Sequence, residues 1–319
     1  MIEKNTPTVR FGYACINTEL QSLKPRVTCN RSMIKRTFMS KGLDYASEIS
    51  LKNAQDILAH VEWNRDHGVK VFRLTSCLFP WLSEYEMEDL PDFDKIKENL
   101  AAAGAAARSA GVRLSFHPGP FNILASPHEN VVRNTLKELD DHAKIFDYMG
   151  MPRDHWSKIN IHVGGAYGEH AVALDRWCRN FDRLTDSAKS RLTVENDDKP
   201  NLYSTKMLYD GVYKQVGVPI VFDSHHFQCG PQDSSYEEAI GLAVSTWPNG
   251  IRPVCHHSNS KKKYEDPTAT ANAHSKWYYE KFENCGHHVD VVLECKMKEQ
   301  ALAKYLDDWG HEYISDQAA

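Results

Sequence analysis

Short apolar runs recur along this chain, each followed by a stretch with helical spacing, and the alternation repeats about eight times. Strands are predicted at residues 9–14, 69–74, 112–116, 158–163, 191–195, 219–222, 251–255 and 289–294. Helices are predicted at 51–66, 93–109, 129–148, 171–187, 204–215, 236–245 and 296–308. Alternation of this kind buries apolar surface most simply as a parallel sheet covered by helices, and eight units close that sheet into a (β/α)8 TIM barrel. An open doubly wound sheet is the rival fold, and the GxGxxG turn of its nucleotide-binding version does not follow the first strand here. Gly68, Gly111, Gly150 and Gly217 each follow a helical run and precede a strand, where a C-terminal cap takes a positive backbone angle. No low-complexity linker divides the 319 residues, so a single barrel domain with a short C-terminal tail is expected.

Side chains at the C-terminal ends of parallel barrel strands converge on one pocket. Six predicted tips carry an imidazole or a carboxylate: His117 in "LSFHPG", His162 in "INIHVGG", Glu195 in "LTVENDD", Asp223 in "IVFDSHH", His256 in "RPVCHH" and Glu294 in "VVLECK". Burying several ionised groups together is costly unless they are compensated. A divalent cation compensates them, balancing the carboxylates and accepting the lone pairs of neutral imidazoles. His226, His274 in "ANAHS" and Glu84 in "WLSEYE" can join from loops. So many N and O ligands suit two or three ions better than one, and manganese, zinc or iron better than magnesium. A lone histidine at a strand end is more often structural than a ligand; the agreement of six tips carries the reading. His225 and His257 neighbour chosen ligands, and alternation points them the other way. Such a cluster activates water for in-line displacement at phosphorus, which makes phosphodiester hydrolysis, with Glu195 and Glu294 as catalytic carboxylates, the leading chemistry.

The formal net charge of -5 argues against coating of nucleic acid by the whole surface. A local basic stretch exists nonetheless: "KPRVTCNRSMIKRTFMSK" carries Lys24, Arg26, Arg31, Lys35, Arg36 and Lys41 with no acid between its ends. It belongs to a predicted loop, about residues 18–48, that follows the first strand and so lies on the active face. Arg31, Lys35 and Arg36 are its candidate phosphate contacts. "GGAYG" at 164–168 reads as a close turn or an anion nest, and Lys261 to Lys263 as a solvated run. The eight cysteines form no CxxC pair, which suits free thiols rather than disulfides or a zinc-thiolate site. No apolar run approaches the roughly 18 residues of a membrane span, and no signal sequence is evident. The expectation is a soluble intracellular protein without nucleotide cofactor, membrane contact or obligate protein partner.

Taken in order, these stretches resemble the UV damage endonuclease family of metal-dependent DNA repair nucleases. "RFGYACIN", "FRLTS", "LSFHPG", "IHVGGAYGEH", "LTVENDD", "VFDSHH" and "LECKMKEQA" span residues 10–301, and their joint occurrence makes the resemblance specific. It implies a TIM barrel that incises UV-damaged double-stranded DNA immediately 5′ to a cyclobutane dimer or 6-4 photoproduct, leaving a 3′-hydroxyl, with manganese as the usual metal. It implies metal roles for His117, His162, Glu195, Asp223, His226, His256, His274 and Glu294. It also places Tyr13 and Asn17, of the GYxxxN pattern, in a lesion pocket where a ring can stack on a displaced base.

Three positions depart from the family pattern. Pro120-Phe121 follows HPG where Gln-Tyr is common; Phe121 can still wedge or stack, but Pro120 lacks the hydrogen bonds of an amide side chain. Val254 stands two residues before His256, where many members have a lysine able to become a carboxylated ligand. Glu84 stands where a histidine is frequent, keeping a ligand but a harder one. Lys296 is the candidate for neutralising charge at the reacting phosphate, with Lys298 beside it. Two other functions compete. A sugar isomerase or epimerase shares barrel and metals but needs an enclosed pocket and no basic arm, and a damage-binding protein without catalysis would retain the metals structurally.

Overall fold

The structure, a computed structural model, describes residues 8–313, so the predicted C-terminal tail lies outside the described residues. Eight strands form one sheet: β1 Val9–Ala14, β2 Val71–Arg73, β3 Arg113–Ser115, β4 Ile159–His162, β5 Leu192–Glu195, β6 Ile220–Asp223, β7 Val254–His257 and β8 Val289–Leu293. Their order is β3-β2-β1-β8-β7-β6-β5-β4, and neighbours pair in parallel. A parallel bridge between Phe116 and Ile159 joins β3 to β4. There Phe116 N–H donates to Lys158 O at 2.9 Å and Asn160 N–H to Phe116 O at 3.0 Å. The expected TIM barrel forms.

The helices α1 Thr18–Ser22, α2 Lys35–Asp66, α3 Phe93–Ala110, α4 Glu129–Tyr148 and α5 His170–Phe181 lead the outer layer, which later includes helices Tyr236–Ser245 and Lys298–Trp309. α3 shows why they pack. Its buried residues Ile96, Leu100, Ala103 and Ala107 recur at three- and four-residue intervals, forming one apolar stripe against the barrel. The helix stops on Gly111 at φ 63°, and Gly68, Gly150 and Gly217 hold φ of 69°, 64° and 70°, as the cap reading expected.

The stretch at 18–48 is not the long loop expected. α1 and the first turns of α2 occupy its two ends, leaving 23–34 as the irregular part. Helical spacing was obscured because α2 bends at Gly42, whose φ of 64° and ψ of -155° interrupt the periodicity. Before the bend, Phe38 stacks on Trp81 with ring centroids 6.3 Å apart, a tertiary contact that no local pattern announces. β7 begins three residues later than the predicted 251, which places His256 within the strand.

Period-two alternation divides each strand between an outer apolar face and an inner face of mixed character. Ala14, Val71, Val221, Val254 and Val292 form a small apolar cluster with Trp247. The rest of the interior is polar, which the apolar reading of the strands did not anticipate. Asp290 is fully buried and accepts from Arg10 Nε at 2.6 Å and Arg113 Nη1 at 2.9 Å. Arg113 also donates to the carbonyls of Trp156, Arg252 and His155 at 2.9, 2.6 and 2.6 Å. Lys158, Asn160 and Thr193 are buried above this layer, and the predicted ligands stand at the C-terminal rim.

Candidate metal centre

Each strand delivers its rim residue by the same register. His117 follows Arg113 and Ser115 at two-residue steps, His162 follows Lys158 and Asn160, Glu195 follows Thr193, and Glu294 follows Asp290 and Val292. Four imidazoles surround Glu195. Its Oε2 lies 3.1 Å from His117 Nε2 and 3.0 Å from His256 Nδ1; its Oε1 lies 3.1 Å from His226 Nδ1 and 3.9 Å from His162 Nε2. His256 Nδ1 is also 3.4 Å from Glu294 Oε1. Three overlapping groups result: His117, Glu195 and His256; His162, Glu195 and His226; Asp223, His256 and Glu294. In each, the ligand atoms lie within 4.8 Å of one another.

The donor set fits divalent cations. Asp223 Oδ2 and His274 Nδ1 are buried without a hydrogen-bond partner, and Glu195 Oε1, His162 Nδ1 and His256 Nδ1 meet only ion-pair neighbours without forming a hydrogen bond, a costly state unless something else satisfies them. Burial pushes the His117 imidazole down to about 4 against the pull of Glu195, leaving a neutral ring with a lone pair to offer. Burial also opposes charge on His162 and His226, but the carboxylates around them, Glu195 and Asp197 for His162 and Asp223 and Glu195 for His226, raise both. Glu195 is held well below the usual carboxylate range despite its burial, by His256 and His162 above all. Glu294 is lowered likewise, with Arg73 and His256 overcoming burial.

Of the nine expected ligands, seven fall in the three groups. His274 stands just outside them, with Nδ1 3.9 Å from Glu294 Oε2. Glu84 does not join: it is exposed in the turn Leu82–Glu84, and the tip of β2 contributes Arg73 instead, ion-paired to Glu294. Tyr13 and Asn17 are fully buried. Tyr13 alternates with the inward Ala14, so its ring faces outward onto Phe72 and Trp63, with centroids 5.1 and 6.1 Å away. Asn17 donates to the Tyr13 hydroxyl at 2.8 Å and caps α1 by accepting from Leu20 N–H at 2.9 Å. In this conformation neither presents a surface to a base.

Arg31 is spent on its own loop, pairing with Asp56 at 2.7 Å and donating to the carbonyls of Arg26, at 2.8 Å, and Thr28. Lys35 and Arg36 are exposed, and so are Ile34 at 65% and Met39 at 72% beside them. Pro120 is exposed, and Phe121 is 86% exposed. Phe121 edges a cavity of about 690 Å³, on the same face, to which Met33, Trp81 and Tyr167 also contribute. Lys296 is exposed, its N–H donating to Ser275 O at 3.0 Å.

Several residues of the centre escaped sequence reasoning. Asn160 Nδ2 donates to Glu195 Oε2, and Thr193 Oγ1 donates to Asn160 Oδ1 at 2.8 Å. Asp197 Oδ1 lies 3.3 Å from His162 Nδ1. Lys158 Nζ is buried 3.3 Å from His256 Nε2, and burial lowers its pKa to about 7 against Glu195. "KINIH" held the signal: residues two and four before a rim ligand share its face.

Comparison with known proteins gives the family. The family described as UV-endonuclease UvdE matches residues 9–316. The UV-damage endonuclease of Schizosaccharomyces pombe is 33% identical over 306 residues, covering 92% of this chain but 49% of that protein, so the chain spans about half of that relative's length. The UV DNA damage endonuclease of Bacillus velezensis is 28% identical over 310 residues, covering 94% of this chain and 93% of its own. The crystal structure of SacUVDE superposes with a TM-score of 0.82 at 28% identity, over 95% of this chain and 99% of that one. A D-psicose 3-epimerase from Clostridium cellulolyticum H10, 14% identical with a TM-score of 0.51, shares the fold alone. On the family match and the S. pombe likeness, the chain belongs to the UV-endonuclease UvdE family.

Proposed function

We propose that the chain is a metal-dependent endonuclease that incises double-stranded DNA 5′ to UV photoproducts, cyclobutane dimers and 6-4 photoproducts among them, and so initiates repair inside the cell. The observation that carries the reading is the set of three candidate ligand groups at the barrel mouth, the first linked to the second through Glu195 and to the third through His256. Divalent cations, two or three and of manganese type, would when bound supply charge at the phosphate and make water a better nucleophile. His117, His162, Glu195, Asp223, His226, His256 and Glu294 would hold them, with His274 at the rim. Glu195 and Glu294 stay ionised to do so, and the neutral His117 offers its lone pair.

Substrate binding falls to the surrounding surface. Lys35 and Arg36 offer positive charge to backbone phosphates in a protein of net charge -5, and Phe121 stands free to wedge between or stack on bases at a distorted step. Pro120 supplies rigidity beside it but no hydrogen-bonding side chain, so recognition here rests on shape and stacking. An exposed ring beside a basic helix end suits a duplex better than a sugar. No helix among the described residues is long and apolar enough to cross a membrane.

Nicking of supercoiled plasmid tests the proposal. UV-irradiated plasmid with manganese is expected to yield nicked circles, while unirradiated plasmid or added chelator yields none. Nicking that ignores irradiation, or damage binding without any nicking, would refute it.

A further inference from the structure

β4 and β5 pair with His162 directly opposite Glu195, so the chain leaving β5 passes beside the His162 ring. Asn196 and Asp197 come next, and backbone contacts fix both. Asn196 Oδ1 accepts from Asp223 N–H at 2.8 Å while its Nδ2 donates to Asp223 O at 3.0 Å, tying the segment to β6. Asp197 N–H donates to the carbonyl of the fully buried Tyr203 at 2.9 Å. Gly230 packs against the same backbone: a methyl group there would come within 2.5 Å of Asp197 O. The place of the Asp197 carboxylate is therefore set by the main chain around it and not by the ligand residues.

Each imidazole around Glu195 has a second nitrogen to satisfy. Nδ1 of His117 lies 3.2 Å from Pro118 O, Nδ1 of His226 lies 3.0 Å from Asn196 O, and Nε2 of His256 lies 3.3 Å from Lys158 Nζ. His162 differs. Its Nε2 faces Glu195 Oε1 at 3.9 Å, and its Nδ1 faces Asp197 Oδ1 at 3.3 Å. Asp197 is 4% exposed and belongs to none of the three ligand groups. Its Oδ2 is buried without a hydrogen-bond partner, and among the described residues His162 is its one ion-pair neighbour. A ring that gives its Nε2 lone pair to a cation keeps its proton on Nδ1. A carboxylate that accepts from this Nδ1–H fixes the ring and makes Nε2 the stronger donor.

We infer that Asp197 is a positioning residue, which accepts a hydrogen bond from His162 Nδ1–H and so holds His162 Nε2 toward an ion bound with Glu195 and His226. The inference rests on the metal-centre reading. Asp197 touches neither ion nor substrate and acts only through His162.

A double-mutant cycle on the full chain tests this, read by manganese titration with electron paramagnetic resonance. Asp197→Asn is expected to weaken the affected ion roughly 10–100-fold. Asp197→Asn combined with His162→Ala is expected to lose no more than His162→Ala alone. Losses that add overturn the inference, because a residue that merely supports the fold has no need of His162. A spectroscopic signature separates the same two cases: in zinc-loaded protein the His162 Nδ1 proton is expected far downfield in wild type and shifted upfield in Asp197→Asn, and an unmoved resonance also overturns the inference. Asp197→Ser repeats the cycle with a smaller side chain should the amide lower the unfolding temperature. A wild type that takes up neither manganese nor zinc removes the metal centre itself, whereas a wild type that binds ions and gives an additive cycle removes only the role of Asp197.

Discussion

Glu195 shows how far one side chain depends on others. Four imidazoles and Asn160 converge on a carboxylate with no exposure, and any of them left unsatisfied would bury a charge or a lone pair at a cost of about 1–3 kcal/mol or more. Asn160 orients Glu195 while Thr193 orients Asn160, so neither oxygen of the carboxylate is free to turn. Asn160→Ala is therefore expected to weaken metal binding by about 10–100-fold, read by manganese titration, with the fold retained. Unchanged affinity would show that the imidazoles alone position the carboxylate. Six of the seven residues in the candidate groups were legible because the rim position of a barrel strand follows from period two, and His226 joins them from the short helix after β6. Glu84 falls outside the groups because no comparable rule governs where a loop carboxylate points.

At the scale of the element, α2 links the core to an exposed basic arm. Its C-terminal two-thirds pack Ile49, Ala54, Ile57 and Val61 against the barrel, whereas the segment before Gly42 carries the exposed Lys35, Arg36 and Met39. The bend sets the direction of that arm. A methyl group at Gly42 would meet no atom within 4 Å, so the penalty for Gly42→Ala is purely one of backbone angle. It is expected to cost about 1–3 kcal/mol in urea unfolding. An unchanged midpoint together with unchanged DNA affinity would mean that the bend is dispensable. Here the sequence misleads, because a bent helix breaks the periodicity by which helices are recognised.

For the whole molecule, the distinctive feature is a barrel interior that carries charge from floor to rim. Arg10 and Arg113 close the floor around Asp290, and each buried charge there is tolerated only because it is paired and hydrogen-bonded. His155, whose carbonyl accepts from Arg113, belongs to the same floor. Burial lowers its imidazole from 6.5 to about 4, with Asp154 opposing and Arg113 adding to the effect. The unfolded chain therefore takes up this proton first as pH falls, and the stability it contributes, present above about 6.5, is lost toward 4. His155→Gln is expected to flatten the acid limb of stability by up to about 1.4 kcal/mol per pH unit, in urea unfolding at successive pH values. Parallel profiles for variant and wild type would exclude His155 as a contributor.

By itself the sequence determined the barrel, its strand order along the chain, the caps at four glycines and the imidazoles and carboxylates at the strand tips, because all of these follow from local periodicity and backbone geometry. Tertiary structure alone decided which groups meet. Glu195 became the shared centre, Arg73 took the place expected for Glu84, and Tyr13 was turned into the packing between barrel and helix. Arg31 was consumed by its own loop. Those outcomes depend on distances between residues far apart in the chain, which closure of the sheet sets and no local pattern encodes.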